Sequence, residues 1–283
     1  MLKVKVEEFL TNPLFFIEAS RILSNLSKLV TVRPENSIFE FDFCRKNGLK
    51  VLFFKTRVSR IISSLKFAEA KFFVMTRDER IVKRLQRLEN KVVHGDVEFE
   101  KGRRKLIMLE GKLFGYPECC YKAYARKKGS FPHETKLILE MFEKGIFEEL
   151  ISNLRNSVIL FLPQFFTLNF YPCKADCRRA IRVGLKMEKF LNEFSIAFKL
   201  RTMLNALFLL RVAYKSASYP GLLSKKAIDF FEKLEKSEME MLEAVAEVDY
   251  EEFSNKFIRN LMIRIYDRRR SEHNTNWCWR EHF

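Results

Sequence analysis

Residues 51–70, VLFFKTRVSRIISSLKFAEA, and residues 71–90, KFFVMTRDERIVKRLQRLEN, read as two tandem copies of one pattern. Aligned without a gap, seven of twenty positions are identical: Phe53/Phe73, Thr56/Thr76, Arg57/Arg77, Arg60/Arg80, Ile61/Ile81, Leu65/Leu85 and Glu69/Glu89. Each copy opens on apolar, β-prone residues, passes a threonine and continues with apolar residues at helical spacing. Each therefore predicts a strand, a Thr cap and an amphipathic helix. In the second copy Thr76 and Glu79 have capping-box spacing, and Ile81, Val82, Leu85 and Leu88 share one face. The arginines at the two helix starts, Arg57, Arg60, Arg77 and Arg80, are either solvated first-turn residues or a grip for phosphate, since unpaired positive charge there opposes the helix dipole.

Working outward, SIFEFDF (37–43) alternates apolar and acidic residues, Asn47-Gly48 follows, and then KVLFF (50–54). Two β-rich runs around Asn-Gly predict a hairpin. Val92-Val93 is a candidate further strand. From about Arg103 the pattern becomes helical: Lys105 to Phe114, stopped by Gly115-Tyr116-Pro117, then ECCYKAYARKK, and further helices at 134–155, 174–192, 194–215 and 225–266. The expected class is α+β, with a small N-terminal α/β layer (hairpin plus two βα units) over 1–104 and a mainly helical, cysteine-containing domain over 105–283.

Composition bounds the function. The 283 residues are 47% hydrophobic with 29 Phe, which supplies a folded core, and 52 Lys+Arg against 36 Asp+Glu leave a net charge of +16. The most apolar stretch, Val158 to Tyr171, is broken by Pro163, Gln164 and Asn169 and is too short to span a bilayer. Glu7 and Glu8 stand where a signal peptide would have its apolar core, so a cytoplasmic protein without a membrane span is expected. With only Gln86 and Gln164 as glutamines beside 31% charged residues, the composition is one met in thermophiles. No Gly-rich phosphate loop, His-Glu-x-x-His helix or nucleophile elbow occurs, so nucleotide hydrolysis, zinc proteolysis and serine-hydrolase chemistry lack support.

The chemistry concentrates in cysteines. Of the six, Cys119 and Cys120 lie in GYPECC (115–120), and Cys173 and Cys177 lie in FYPCKADC (170–177). Both pairs follow proline at an expected helix start. Cys173 and Cys177, four apart, share a face of a helix beginning near Pro172. Adjacent helical residues point about 100° apart, so Cys119 and Cys120 both reach one centre only if the first turn is irregular. Helix N-termini and Lys122, Arg126, Lys174, Arg178 and Arg179 favour the thiolate form. Four thiolates from two helix starts could hold Zn²⁺ or an iron–sulfur cluster, with His133 or His94 able to replace one of them at zinc. Buried free thiols, disulfides between the pairs and a redox pair are the alternatives left open.

GYPECCYKAY followed by NFYPCKADCRRAIRVG resembles an archaeal family known as domain of unknown function 483, in which Gly-Tyr-Pro-x-Cys-Cys precedes Pro-Cys-x-x-x-Cys. The resemblance covers about residues 105–190. It implies that Cys119, Cys120, Cys173 and Cys177 form one site, and it implies no reaction.

Charge is distributed in blocks. Lys101 to Lys128 holds nine basic against two acidic residues, Phe194 to Ile228 holds six basic and no acidic residues, and Phe230 to Glu252 holds nine acidic against two basic. Such blocks suit an anionic partner. The tail combines Arg268, Arg269 and Arg270 with Trp277, Trp279, Cys278, His273 and His282; arginine interleaved with aromatics suits phosphate contact and base stacking, and docking of the tryptophans into the core is the alternative. Candidate nucleic-acid contacts are Arg103, Arg104, Lys122, Arg126, Lys127, Arg178, Arg179, Arg268, Arg269 and Arg270. The expected function is metal binding, iron–sulfur or zinc, with binding or modification of nucleic acid, RNA in particular. A small-molecule redox or transfer enzyme using the same thiolates, and a partner-binding protein stapled by zinc or disulfides, are the competing readings.

Overall fold

The computed structural model describes residues 13–32, 34, 38–60, 66–126, 131–148, 172–192, 209, 212 and 222–234. In chain order the elements are α1 (Pro13–Leu23), β1 (Leu29–Val32), α2 (Ile38–Lys46), β2 (Lys50–Val58), β3 (Phe67–Thr76), α3 (Glu79–Val93), α4 (Phe99–Leu113), α5 (Glu118–Arg126), α6 (Phe131–Glu143), α7 (Arg178–Asn192) and α8 (Leu222–Glu232). The class is α+β: helices with one three-stranded antiparallel sheet in the order β1-β3-β2.

The tandem copies fold differently from each other. The apolar openings of both become strands, and they pair antiparallel with Leu52 opposite Val74, Phe53 opposite Phe73 and Phe54 opposite Phe72. To make that pairing the chain must return on itself, so β3 begins at Phe67, inside the stretch expected to finish the first helix. The expected helix of the first copy is therefore replaced by strand at 51–58 and 67–70, and residues 61–65 lie outside the described residues. Only the second copy is strand then helix.

Its cap also differs. The Asp78 side chain accepts from the Arg80 N–H at 3.0 Å, whereas the Thr76 hydroxyl donates to the Lys28 carbonyl at 2.8 Å and so ties the strand end to the entry of β1. Val92-Val93 is no strand but the last turn of α3, with Val92 buried.

SIFEFDF is helical as well. Glu40, Phe43 and Cys44 are buried at i, i+3, i+4 spacing, and Asp42 pairs with Arg45 one turn on at 2.9 Å. Asn47-Gly48 then closes a helix rather than a hairpin: Gly48 adopts φ +65° and the Leu49 N–H reaches back to the Cys44 carbonyl at 2.8 Å. The third strand is β1, four residues long, paired to β3 with Val30 opposite Met75.

One sheet face, through Leu29, Phe54, Val58 and Val74, packs against Val82, Leu85 and Val92 of α3 and Leu106 and Leu113 of α4. Gly102 lets α3 and α4 approach, since a Cβ there would sit 2.3 Å from a Val92 methyl. A buried charge network ties the same elements together. Arg60 pairs with Glu89 of α3 at 2.7 Å and with Glu110 of α4 at 2.5 Å, and it also donates to the Val58 carbonyl. Burial lowers the Arg60 pKa, but the two carboxylates outweigh it and hold the guanidinium charged. Arg57 bonds Asn90, Arg77 bonds Asn25 and Arg80 bonds Asp78, so the arginines of both copies have partners within the fold rather than serving only solvent or phosphate.

The chain forms two compact units, Met1–Leu137 with Leu162–Leu200, and Ile138–Phe161 with Arg201–Phe283. The first holds the sheet and Cys44, Cys119, Cys120, Cys173 and Cys177. In the second, Phe142, Phe147, Phe230 and Phe231 make a ring cluster, with Phe142 and Phe147 centroids 4.4 Å apart. Of the expected helices 194–215 and 225–266, the described residues are 209, 212 and 225–234, all helical but the last two; the remainder, with 149–155 and the C-terminal tail, lies outside the described residues. Among the described residues no helix is long and apolar enough to cross a membrane.

Candidate metal centre

GYPECC is a helix stop followed at once by a helix start. Gly115, at φ +72°, ends α4 and lies so close to the preceding loop that a Cβ would come within 1.8 Å of the Leu26 carbonyl oxygen. The Tyr116 N–H bonds the Gly111 carbonyl at 2.9 Å, closing the turn. Pro117 then accepts from the N–H groups of both Cys120, at 2.9 Å, and Tyr121, at 3.2 Å. The first of these is a 3₁₀-type bond, so the opening turn of α5 is tighter than a regular one, the irregularity that the vicinal pair requires. Gly111 brings α4 and α5 together: a Cβ there would meet the Tyr121 side chain at 2.4 Å.

FYPCKADC does not begin a helix at Pro172. Residues 172–177 are a turn, in which the Cys177 N–H bonds the Lys174 carbonyl at 3.2 Å, and Lys174 pairs with Asp176 at 3.1 Å. Helix α7 starts at Arg178, and Cys177 stands at its N-cap, its carbonyl accepting from the Ile181 N–H at 3.0 Å. The two cysteines thus converge from a turn and a cap instead of from one helical face. Leaving the backbone non-helical lets the Cys173 N–H point at the Cys120 sulfur, 3.4 Å away.

The four sulfurs meet. Cys119 and Cys120 Sγ are 3.8 Å apart, Cys177 Sγ is 3.7 Å from each, and all four sulfurs lie within 4.8 Å of one another. These cysteines could hold a metal ion. Among the described residues they are the one group of three or more potential ligands so gathered, and none of the described cysteines is in a disulfide. His94, at the C-cap of α3, is outside the group, and the His133 side chain lies outside the description.

Cys120 and Cys177 are buried, whereas Cys119 and Cys173 are half-buried. Burial, with the neighbouring thiols, raises the Cys120 pKa well above its ordinary value and pushes Cys173 up to about 11. At Cys177 burial pushes the same way, but the Ala180 N–H and the other three thiols stabilise its thiolate and the net shift is downward. In the absence of a cation Cys120 and Cys173 thus resist ionisation beside their neighbours. That resistance is what a divalent ion relieves.

Behind the sulfurs lies a shell that the sequence reading missed. Tyr116 and Ala180 pack on the cysteines, and the Arg21 guanidinium sits 5.3 Å from the Tyr116 ring centroid. Arg21 pairs with Glu18 at 2.5 Å and also donates to the Phe114 carbonyl, while burial pushes the Tyr116 hydroxyl up to about 12. A Glu and an Arg three apart in the otherwise apolar helix PLFFIEASRIL were the available signal for a buried pair.

Of the expected nucleic-acid contacts, Arg104, Arg126, Arg178 and Arg179 are exposed and Lys122, paired with Glu118 at 2.5 Å, is half-exposed. Arg103 is not a surface residue. Its side chain is 2% exposed, paired with Glu100 at 3.0 Å and donating to the Arg60 carbonyl, because its position on α4 faces the sheet. Lys127, Arg268, Arg269 and Arg270, with Cys278, His273, His282 and the tryptophans, lie outside the described residues.

No curated protein and no solved structure matches the chain. The family described as Protein of unknown function (DUF483) matches residues 69–205. The match contains both cysteine elements and begins well before residue 105, so it takes in most of β3 and all of α3 with the second copy of the repeat. Over residues 69–205 the chain is similar to the DUF483 family.

Proposed function

We propose that the protein binds one metal ion through Cys119, Cys120, Cys173 and Cys177, and that this centre organises a surface for nucleic acid, RNA in particular. The spacing of the sulfurs carries the reading. A tetrahedron with metal–sulfur bonds of ~2.3 Å has sulfur–sulfur edges of about 3.8 Å, and the separations among Cys119, Cys120 and Cys177 Sγ are 3.7, 3.7 and 3.8 Å. In an iron–sulfur cluster thiolates on different irons are held apart by the cluster itself. Four sulfurs that all lie within 4.8 Å of one another support a single ion. Four thiolates and no other ligand suit Zn²⁺, with iron as the other tetrahedral-sulfur choice. Four protein ligands also leave no open coordination position, which favours a structural centre over a hydrolytic one.

The nucleic-acid half rests on the cations around that centre: Lys122 and Arg126 on α5, and Arg178 and Arg179 at the start of α7. Metal and sulfide analysis of anaerobically purified protein, with an absorption spectrum, tests the metal half. One zinc per chain, no labile sulfide and no visible absorption are expected. Iron with stoichiometric sulfide would replace the single ion by a cluster, and metal-free protein would overturn the reading.

A further inference from the structure

Helix α7 carries a feature that the cysteines do not account for. Ala180, Gly184, Met187 and Leu191 are buried, and on a helix of 100° per residue they fall within one narrow arc. The exposed residues are Arg178, Arg179, Arg182, Leu185, Lys186 and Lys189. They occupy the opposite side, an arc of about 120°. Five of the six are cations, and along the axis they cover about 16 Å.

Among the described residues none of the five cations is in an ion pair, and the first turn of α7 contains no acidic residue. The carboxylates nearby are otherwise engaged. Asp176 pairs with Lys174, Glu118 pairs with Lys122 and also feels Arg179, and Glu188 is half-buried outside the exposed arc with a contact of its own. Two arginines at a helix N-terminus oppose the dipole. A surface built this way suits an anion that runs along it.

We propose that the exposed face of α7 is a docking ridge for the phosphate backbone of a nucleic-acid strand, held in orientation by Cys177 at its N-cap. This rests on the nucleic-acid reading above and adds Arg182, Lys186 and Lys189 as its main contacts. Charge complementarity selects the occupant. Insertion into a lipid surface would need a free apolar face, and the apolar face of α7 is buried in the fold with only Leu185 left outside. Recognition is of backbone and not of sequence: the ridge has no Asn, Gln or aromatic side chain to read a base edge or stack on it.

The test uses full-length, metal-loaded protein and a labelled single-stranded 20-nucleotide RNA, with affinity followed by anisotropy across a salt series. One variant combines Arg182→Gln, Lys186→Gln and Lys189→Gln. A second removes equal charge from the exposed side of α3 through Lys83→Gln, Arg87→Gln and Lys91→Gln. Each lost phosphate contact lowers the slope of log K against log salt by about 0.7 for a single strand. The α7 variant should therefore lose about 2 from the slope and about 100-fold in affinity near 0.1 M salt, with wild-type metal content, while the α3 variant keeps the wild-type slope. Oligo-U and oligo-A should bind within a few fold of each other.

Equal losses in the two variants, or an unchanged slope in the α7 variant, would overturn the ridge while leaving nucleic-acid binding in place. Absence of RNA binding by the wild type overturns the nucleic-acid reading itself, and capture of an acidic peptide in its stead identifies a protein partner.

Discussion

Stripping the metal should lower the melting temperature by roughly 10 °C. In the proposed centre the ion would fasten Cys119 and Cys120 to Cys173 and Cys177 across a span of some fifty residues. In the chain-entropy treatment a cross-link closing a loop of that length removes about 4 kcal/mol of disorder from the unfolded state. For a chain of this size each kcal/mol moves the midpoint by about 2–4 °C, which gives roughly 8–16 °C. The thiols left behind add nothing in compensation, because Cys120 is buried without its ion. The assay is thermal unfolding by circular dichroism, in reductant, before and after a chelator whose success is verified by metal analysis. Cys173→Ser protein, already lacking one ligand, should melt lower than the wild type and respond less to the same chelator. A wild-type shift under 2 °C after complete metal loss would refute the reasoning, for then the four thiols would be packing as ordinary small side chains.

Other perturbations test the surroundings. Gly115→Ala should cost at least ~2 kcal/mol, because it combines φ +72° with a Cβ 1.8 Å from the Leu26 carbonyl oxygen. Gly95→Ala, at φ +81° with nothing within 4 Å, should cost about 1 kcal/mol; equal losses in urea unfolding would remove the clash from the account. Arg60→Met leaves Glu89, 3% exposed, beside a lost partner and should cost about 3 kcal/mol, partly recovered by adding Glu89→Gln. A loss under 1 kcal/mol would mean that water already serves those carboxylates. Cys44 is held protonated up to about 12, first by burial and then by Glu40. Its contribution to stability is complete below the unfolded thiol's range near 9 and is lost as pH rises toward 12. In native protein at pH 8 it should resist alkylation, and rapid labelling there would contradict its burial.

Proline and cysteine in GYPECC and FYPCKADC marked two chain entries as candidate sites, and the resemblance to the DUF483 family implied that their four cysteines form one site, which the sulfur positions bear out. What was not legible was the geometry of the second entry. A cysteine at an N-cap is an unusual residue for that place, and i, i+4 spacing suits a helix face equally well. The sheet suffered from a similar ambiguity. In SIFEFDF, Phe39 and Phe41 alternate as in a strand, but Glu40, Phe43 and Cys44 are the buried set, and only tertiary packing chooses between the periods. The twenty-residue repeat misled for another reason. Similar strands can pair with each other, and once β2 and β3 do so residues 67–70 of the first copy are strand where the end of its helix was expected. Arg103 shows the limit of charge counting: its place in a basic block said nothing of its inward face on α4.

The order of the ligands along the chain bears on how the centre is made. Cys119 and Cys120 sit on a turn braced by residues that precede them, from Leu26 to Gly111, so their half of the site can assemble as soon as α5 emerges from the ribosome. Cys173 and Cys177 follow more than fifty residues later. At roughly 5–20 residues per second the vicinal pair waits several seconds as an open dithiol, able to take a poorly chosen ion or to be oxidised. On the proposed metal reading, maturation more than the finished fold is the stage at which the supply of metal and reductant would decide the yield of loaded protein.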